Sequence, residues 1–231
     1  MPKTPPGPTR RNWRGMSTLK YVDALNQTLI SLMEEDPSIV ICGSCCLNSP
    51  WYVGGLLKGI PERFPDRVID GPCSENGVTG AAVGMALAGM KPIVIFPRHD
   101  FSLYAMDPII NHAAKISYMF GGKANCPIVF WMILNAKGSQ GCQHSQDLSW
   151  IFRGIPGLKW VDEKNAADVG TALEDAVTDK NPVVFFDDRA RYEKEIEKAE
   201  VCSGFWPMET CGCPAPASEV LEKEYYARLE G

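Results

Sequence analysis

The 231-residue sequence contains no apolar run near the roughly 20 residues that a membrane-spanning helix needs. No membrane partner is therefore expected. It has no basic stripe either. Arg10, Arg11 and Arg14 form the main cluster of positive charge, and the net charge is −5, which argues against a nucleic-acid partner. Three familiar glycine motifs are missing: the Gly-x-Gly-x-x-Gly turn after the first strand, the Gly-x-x-x-x-Gly-Lys phosphate loop and the Gly-x-Ser-x-Gly nucleophile elbow. The proline-rich, basic start lacks the apolar core of a signal peptide. Nine cysteines are present, an odd and scattered set. They point to a reduced, cytoplasmic chain rather than a disulfide framework. Cys202, Cys211 and Cys213 have no fourth ligand or nearby histidine, so no metal site is expected.

What is there alternates between two periods. Tyr21, Val22, Leu25, Leu29, Leu32 and Met33 repeat at helical spacing, and Pro37 stops them. Short apolar strands are predicted at 38–43, 68–70, 92–96, 128–134, 158–161 and 183–186. Helices are predicted at 75–88, 106–119 and 166–177, with shorter turns over 51–64 and 150–152. Strands separated by helices imply an α/β fold: a mostly parallel sheet of about six strands with helices on both faces. Residues 1–16 read as a flexible arm, 17–192 as one domain, and 193–231 as a charged tail with a possible helix over 217–229.

The stretch Asp70-Gly-Pro-Cys-Ser-Glu-Asn-Gly-Val-Thr-Gly-Ala-Ala-Val-Gly-Met-Ala-Leu-Ala-Gly89 organises the rest. It places one carboxylate, Glu75, before a helix of small residues that reads as buried. Gly77, Gly80, Gly84 and Gly89 each cost roughly 1 kcal/mol of helix propensity, so close packing or close approach is expected there. Read alone, Glu75 is a charge favoured by the helix dipole. Two further polar groups follow later strands: Arg98-His99-Asp100-Phe101 and Gln143-His144. In an open parallel sheet these positions share one rim, where ligands bind.

From Tyr21 to Tyr192 the chain resembles the pyrimidine-binding domain of thiamin-diphosphate enzymes. It is most similar to the β subunit of the decarboxylating component of pyruvate and branched-chain 2-oxo acid dehydrogenases. The stretches that carry the resemblance are Ala24-Leu-Asn-Gln27, Asp70-Gly-Pro-Cys-Ser-Glu-Asn-Gly77 and Ala81-Ala-Val-Gly-Met-Ala-Leu-Ala-Gly-Met-Lys-Pro92. Asn111-His-Ala-Ala-Lys115, Tyr118-Met-Phe-Gly-Gly122, Gln143-His-Ser-Gln146, Pro156-Gly-Leu-Lys159 and Asp179-Lys-Asn-Pro-Val183 follow in the family's order. The resemblance implies that Glu75 bonds the cofactor's aminopyrimidine and promotes its activation, with burial raising the pKa of the carboxyl. It implies that Phe101 stacks on the pyrimidine, that Cys73 and Pro97 line the pocket, and that His144 faces the reacting carbon. It further implies thiamin diphosphate shared with an α-type partner that holds Mg2+ and the diphosphate, in an α2β2 heterotetramer. The expected reaction cleaves a bond next to the carbonyl of a 2-oxo acid through a covalent cofactor adduct.

Three departures bear on substrate. Ser44-Cys45-Cys46 stands where the dehydrogenase subunits are acidic. Arg98, His99 and Asp100 stand where they are apolar or neutral, which makes these three, with Gln143, candidates for substrate recognition. The further C-terminal domain of those subunits is not expected in this chain. Ketol or acyl transfer from a ketose onto an aldehyde or sugar acceptor is thus an alternative, and a non-catalytic scaffold subunit is another.

Overall fold

A computed structural model describes residues 18–47, 53–136, 140–162 and 169–197. The expected N-terminal arm, the helix over 217–229 and Cys202, Cys211 and Cys213 lie outside these residues. Helix α1 (Tyr21–Glu35) buries Tyr21, Val22, Leu25, Leu29, Leu32 and Met33, the residues whose spacing predicts it. Pro37 cannot continue it, and the chain turns through Asp36, whose carboxylate accepts from the Ser38 amide at 2.8 Å and pairs with Lys91 at 2.9 Å.

Strands β2 (Ile39–Ser44), β3 (Val68–Gly71), β4 (Lys91–Phe96), β5 (Val129–Leu134), β6 (Lys159–Asp162) and β7 (Val183–Asp188) form one sheet in the order β3-β2-β4-β5-β7-β6. Every neighbouring pair is parallel. The expected six-stranded α/β architecture is therefore present. Alternation along the strands builds two cores. Ile41, Ile95, Trp131 and Phe185 pack towards α1 and α6 (Val169–Thr178). Cys42, Phe96, Phe130, Met132 and Phe186 pack on the other face, against α3 (Glu75–Leu87) and the segments after β4. Burying each of these large side chains contributes roughly 1.5–3 kcal/mol. The central strands read as continuous apolar runs because both faces are covered. A short helix, α2 (Ile60–Arg63), lies between β2 and β3.

The structure departs from the sequence reading in three places. Helix α3 buries only Thr79, Ala82, Val83 and Ala86 among its residues. Its other face, Gly77, Gly80, Ala81, Gly84 and Leu87, is open. A helix that is apolar all round does not reveal which face its own chain covers. The predicted helix over 106–119 is instead a π-helical stretch, Asp107–Ala113, followed by α4 (Ala114–Met119). Pro108 lies in its first turn and removes a backbone donor there; the Asp107 carboxylate accepts from Asn111 at 2.8 Å. Finally, Thr18–Lys20 (β1) pairs antiparallel with Glu195–Glu197 (β8), a strand pair too short for periodicity to announce.

Candidate active site

Because all six strands run the same way, the segments after β3, β4, β5 and β7 meet at one rim. The chain leaves β2 for β3 on one side and returns to β4 on the other, and a crevice opens at such a reversal. The predicted site residues lie on these segments.

Glu75 is the first residue of α3. Ser74 caps the helix, its hydroxyl accepting from the Gly77 amide at 3.4 Å, which places the Glu75 carboxylate at the positive end of the helix dipole. The side chain is half-buried and has no hydrogen-bond or ion-pair partner among the described residues. The neighbouring Cys73, Ser74 and Asn76 are all exposed. Cys46 lies nearby. Its amide donates to Asp70 at 2.8 Å. Burial, then the Asp70 charge and a smaller push from Glu75, raise its thiol pKa to about 12. The six described cysteines, Cys42, Cys45, Cys46, Cys73, Cys126 and Cys142, are all free.

After β4 the chain tightens into a 3-10 turn, His99–Ala105, against which α3 packs. Pro97 and Phe101 are half-buried. The Phe101 ring meets His144 edge-on at 5.2 Å between centroids and 84° between planes. Its other neighbour, Tyr104, stacks at 6.4 Å and is 69% exposed. His144 ends a 3-10 turn, Cys142–His144, held by a bond from its amide to the Gly141 carbonyl at 3.1 Å. Gln143, beside it, is exposed.

The three polar residues of the β4 loop separate. Arg98 stays at the rim. Its Nε donates to Gln140 Oε1 at 2.6 Å, its Nη2 reaches the same oxygen, and Nη1 donates to the Pro97 carbonyl at 2.6 Å. Burial, then the neighbouring Arg189 charge, pull its pKa below the usual value. His99 and Asp100 turn inward, 0% and 5% exposed. His99 Nε2 accepts from the Leu148 amide at 3.0 Å. Asp100 Oδ1 accepts from the backbone and side-chain nitrogens of Gln146, at 3.2 and 2.9 Å. Of the four residues expected to meet substrate, His99 and Asp100 are thus buried against the adjacent loop, whereas Arg98 is half-buried and Gln143 exposed at the rim. Burial lowers the His99 pKa, opposed by Asp147 and Asp100, so the ring is neutral.

Sequence reasoning missed the acid beneath this rim. Asp187, fully buried, accepts from Tyr21 Oη (3.1 Å), Trp131 Nε1 (2.9 Å) and Tyr192 Oη (2.7 Å). Burial raises its pKa to about 6 against the pull of those three donors. The only signal was an Asp pair closing an apolar strand. Among the described residues no group of three or more His, Cys, Asp or Glu comes together as a metal cluster would.

Comparison with known proteins bears on the family and the fold. The family profile described as "Transketolase, pyrimidine binding domain" matches residues 17–194. The β subunit of the mitochondrial pyruvate dehydrogenase E1 component of Saccharomyces cerevisiae is 39% identical over 186 residues, which are 79% of this chain and 50% of that protein. The β subunit of acetoin:2,6-dichlorophenolindophenol oxidoreductase from Cupriavidus necator is 36% identical over 186 residues, 77% of this chain and 55% of that one. The chain thus spans about half the length of these relatives. Among solved structures, a split-gene transketolase described as an inactive β4 tetramer superposes with a TM-score of 0.56 at 19% identity, covering 72% of this chain and 50% of that one. That likeness concerns the fold.

Proposed function

The chain belongs to the transketolase pyrimidine-binding domain family, and on that footing we propose that it is the β-type subunit of a split thiamin-diphosphate-dependent enzyme acting on a 2-oxo acid. The observation that carries this reading is Glu75: a half-buried carboxylate at a helix N-terminus, without a hydrogen-bond or ion-pair partner among the described residues, on the rim that also holds the Phe101–His144 pair. A carboxylate acceptor and an aromatic face are the groups that an aminopyrimidine takes, so these residues fit the pyrimidine half of the cofactor. When bound, the cofactor supplies a nucleophilic carbon able to add to the substrate carbonyl.

The chain's own residues have separate tasks. Glu75 accepts a hydrogen bond from a ring nitrogen and holds or exchanges a proton there. Phe101 presents an apolar face to the ring, while Cys73 and Pro97 border it. His144, fixed edge-on to Phe101, is suited to give or take a proton at the substrate oxygen, or to stabilise charge developing there. Arg98 and Gln143 border the entrance and recognise the substrate's polar groups.

The diphosphate and Mg2+ belong in this reading to an α-type partner, giving a heterotetramer. The open face of α3 supports that assembly. A Cβ added to Gly80 or Gly84 would meet nothing within 4 Å among the described residues, so none of these accounts for glycine in the helix, whereas a second helix pressed against it would.

Co-expression with a diphosphate-binding partner chain tests the proposal. Thiamin-dependent release of carbon dioxide from pyruvate or a branched-chain 2-oxo acid is expected, with reduction of an artificial electron acceptor. Turnover only with a ketose donor and an aldehyde acceptor would replace it with ketol transfer. Assembly without thiamin binding would leave a scaffold.

A further inference from the structure

Three consecutive residues after β4 meet alternating residues of the His144 loop. His99 takes the Leu148 amide at 3.0 Å, Asp100 takes the Gln146 amide at 3.2 Å, and Phe101 meets the ring of His144 at 5.2 Å. The residues run 99, 100, 101 against 148, 146, 144, in opposite directions. Two side chains here stand in for the carbonyls that a neighbouring strand would offer. The loop needs such partners. Between the Cys142–His144 turn and α5 (Ser149–Arg153), residues 145–148 belong to no regular element, so the part-buried amides of Gln146 and Leu148 find their acceptors in side chains.

We propose that His99 and Asp100 are positioning residues that set the register of the loop carrying His144, a role that rests on the reading of His144 given above. The ladder is rigid at its inner end. The His99 ring stands edge-on to Phe152 at 6.2 Å and beside Phe186 at 5.9 Å, one from α5 and one from β7. Its Nε2 accepts a proton bond, so the ring proton lies on Nδ1, and the neutral form is the one that holds Leu148. Asp100 adds a second bond at the same rung, from Gln146 Nε2 at 2.9 Å. A slip of one residue in this loop would break both rungs and displace His144 from the edge of Phe101. A displacement of about 1 Å is enough to cost on the order of a hundredfold in rate.

The test uses the assembled enzyme and reads two quantities: exchange of the Leu148 and Gln146 amides, and kcat against KM. His99→Phe keeps an aromatic ring between Phe152 and Phe186 but removes the acceptor. It is expected to speed Leu148 exchange about tenfold, the equivalent of one lost hydrogen bond, and to lower kcat by about tenfold or more with KM changed less than about twofold. His99→Gln restores an acceptor and must recover both. Asp100→Asn keeps Oδ1 and is expected to behave as the parent, whereas Gln146→Ala, a surface change that leaves the core intact, loosens the second rung and lowers kcat about threefold. Unchanged Leu148 exchange in His99→Phe overturns the clamp. Faster exchange with unchanged kcat, a loss carried by KM, or no recovery with His99→Gln overturns the positioning role. If the parent complex shows no thiamin-dependent turnover, the functional reading fails, and the exchange measurements still decide the clamp.

Discussion

Phe101 and His144 come from segments after different strands, β4 and β5, and meet edge-to-face at 5.2 Å. Such a pair contributes roughly 0.5–1.5 kcal/mol beyond area burial, and it fixes the imidazole relative to a ring surface left half-open. Phe101→Ala should raise the thiamin diphosphate concentration needed for half-maximal activity by about tenfold or more, because it removes both the stacking face and the restraint on His144. Titration of the apo complex with cofactor measures this.

His144→Asn retains a polar side chain on the Cys142–His144 turn but cannot carry a proton between states. Loss of a general acid or base is expected to lower kcat by about 10²–10⁴-fold with cofactor binding little changed. A fall in cofactor affinity with kcat preserved would move His144 from chemistry to binding.

Glu75→Gln should abolish turnover and leave the fold intact. The carboxylate has no partner among the described residues, and its interaction with the α3 dipole is worth about 0.3–1 kcal/mol. Circular dichroism and thermal unfolding should therefore differ little from the parent, while full activity in the assembled variant would sink the mechanism.

Asp187 predicts a pH-dependent stability. Burial raises its folded pKa to about 6 from 3.8, so the native state favours the neutral acid. The contribution is fully present below the unfolded pKa near 4 and is lost as pH rises through about 6. The loss amounts to roughly 2–4 kcal/mol. Denaturant unfolding between pH 4 and 7 should show this decline, and Asp187→Asn should flatten it.

Gly157 and Gly84 make opposite demands. At Gly157 φ is +87°, and an added Cβ would fall 1.9 Å from the Ala114 carbonyl oxygen, so Gly157→Ala should destabilise by about 2 kcal/mol or more. A Cβ added at Gly84 would meet nothing within 4 Å among the described residues outside its own helix backbone. Gly84→Ala should stabilise the separate chain by up to about 1 kcal/mol, whereas Gly84→Trp should leave its fold intact and prevent association with the proposed α-type partner, as read by light scattering after gel filtration.

The sheet was legible because its central strands are apolar throughout and its turns carry Gly and Pro. The spacing of Tyr21 to Met33 likewise revealed the face of α1. Helix α3 was half legible: its small residues announced close packing, but not that one face lacks cover within the chain. For the site, order along the sequence placed Glu75, Phe101 and His144 on one rim. It did not separate Arg98 from His99 and Asp100, since all three are polar and consecutive. Which of them turns inward depends on the 3-10 geometry after β4 and on the amides of a loop more than 40 residues later. Asp187 escaped for the same reason, because its three donors come from α1, β5 and the segment after β7.

The pairing of Thr18–Lys20 with Glu195–Glu197 brings the two ends of the described domain side by side, with Tyr21 bonding to Asp187 just beyond. Topologically the domain is then close to a closed ring, and its order of connection is separable from its shape. A circular permutant, joined across this pair by a short linker and opened at an exposed turn such as Gly121-Gly122, retains every strand neighbour of the sheet. Anything fused before residue 18 or after residue 197 departs from that same corner.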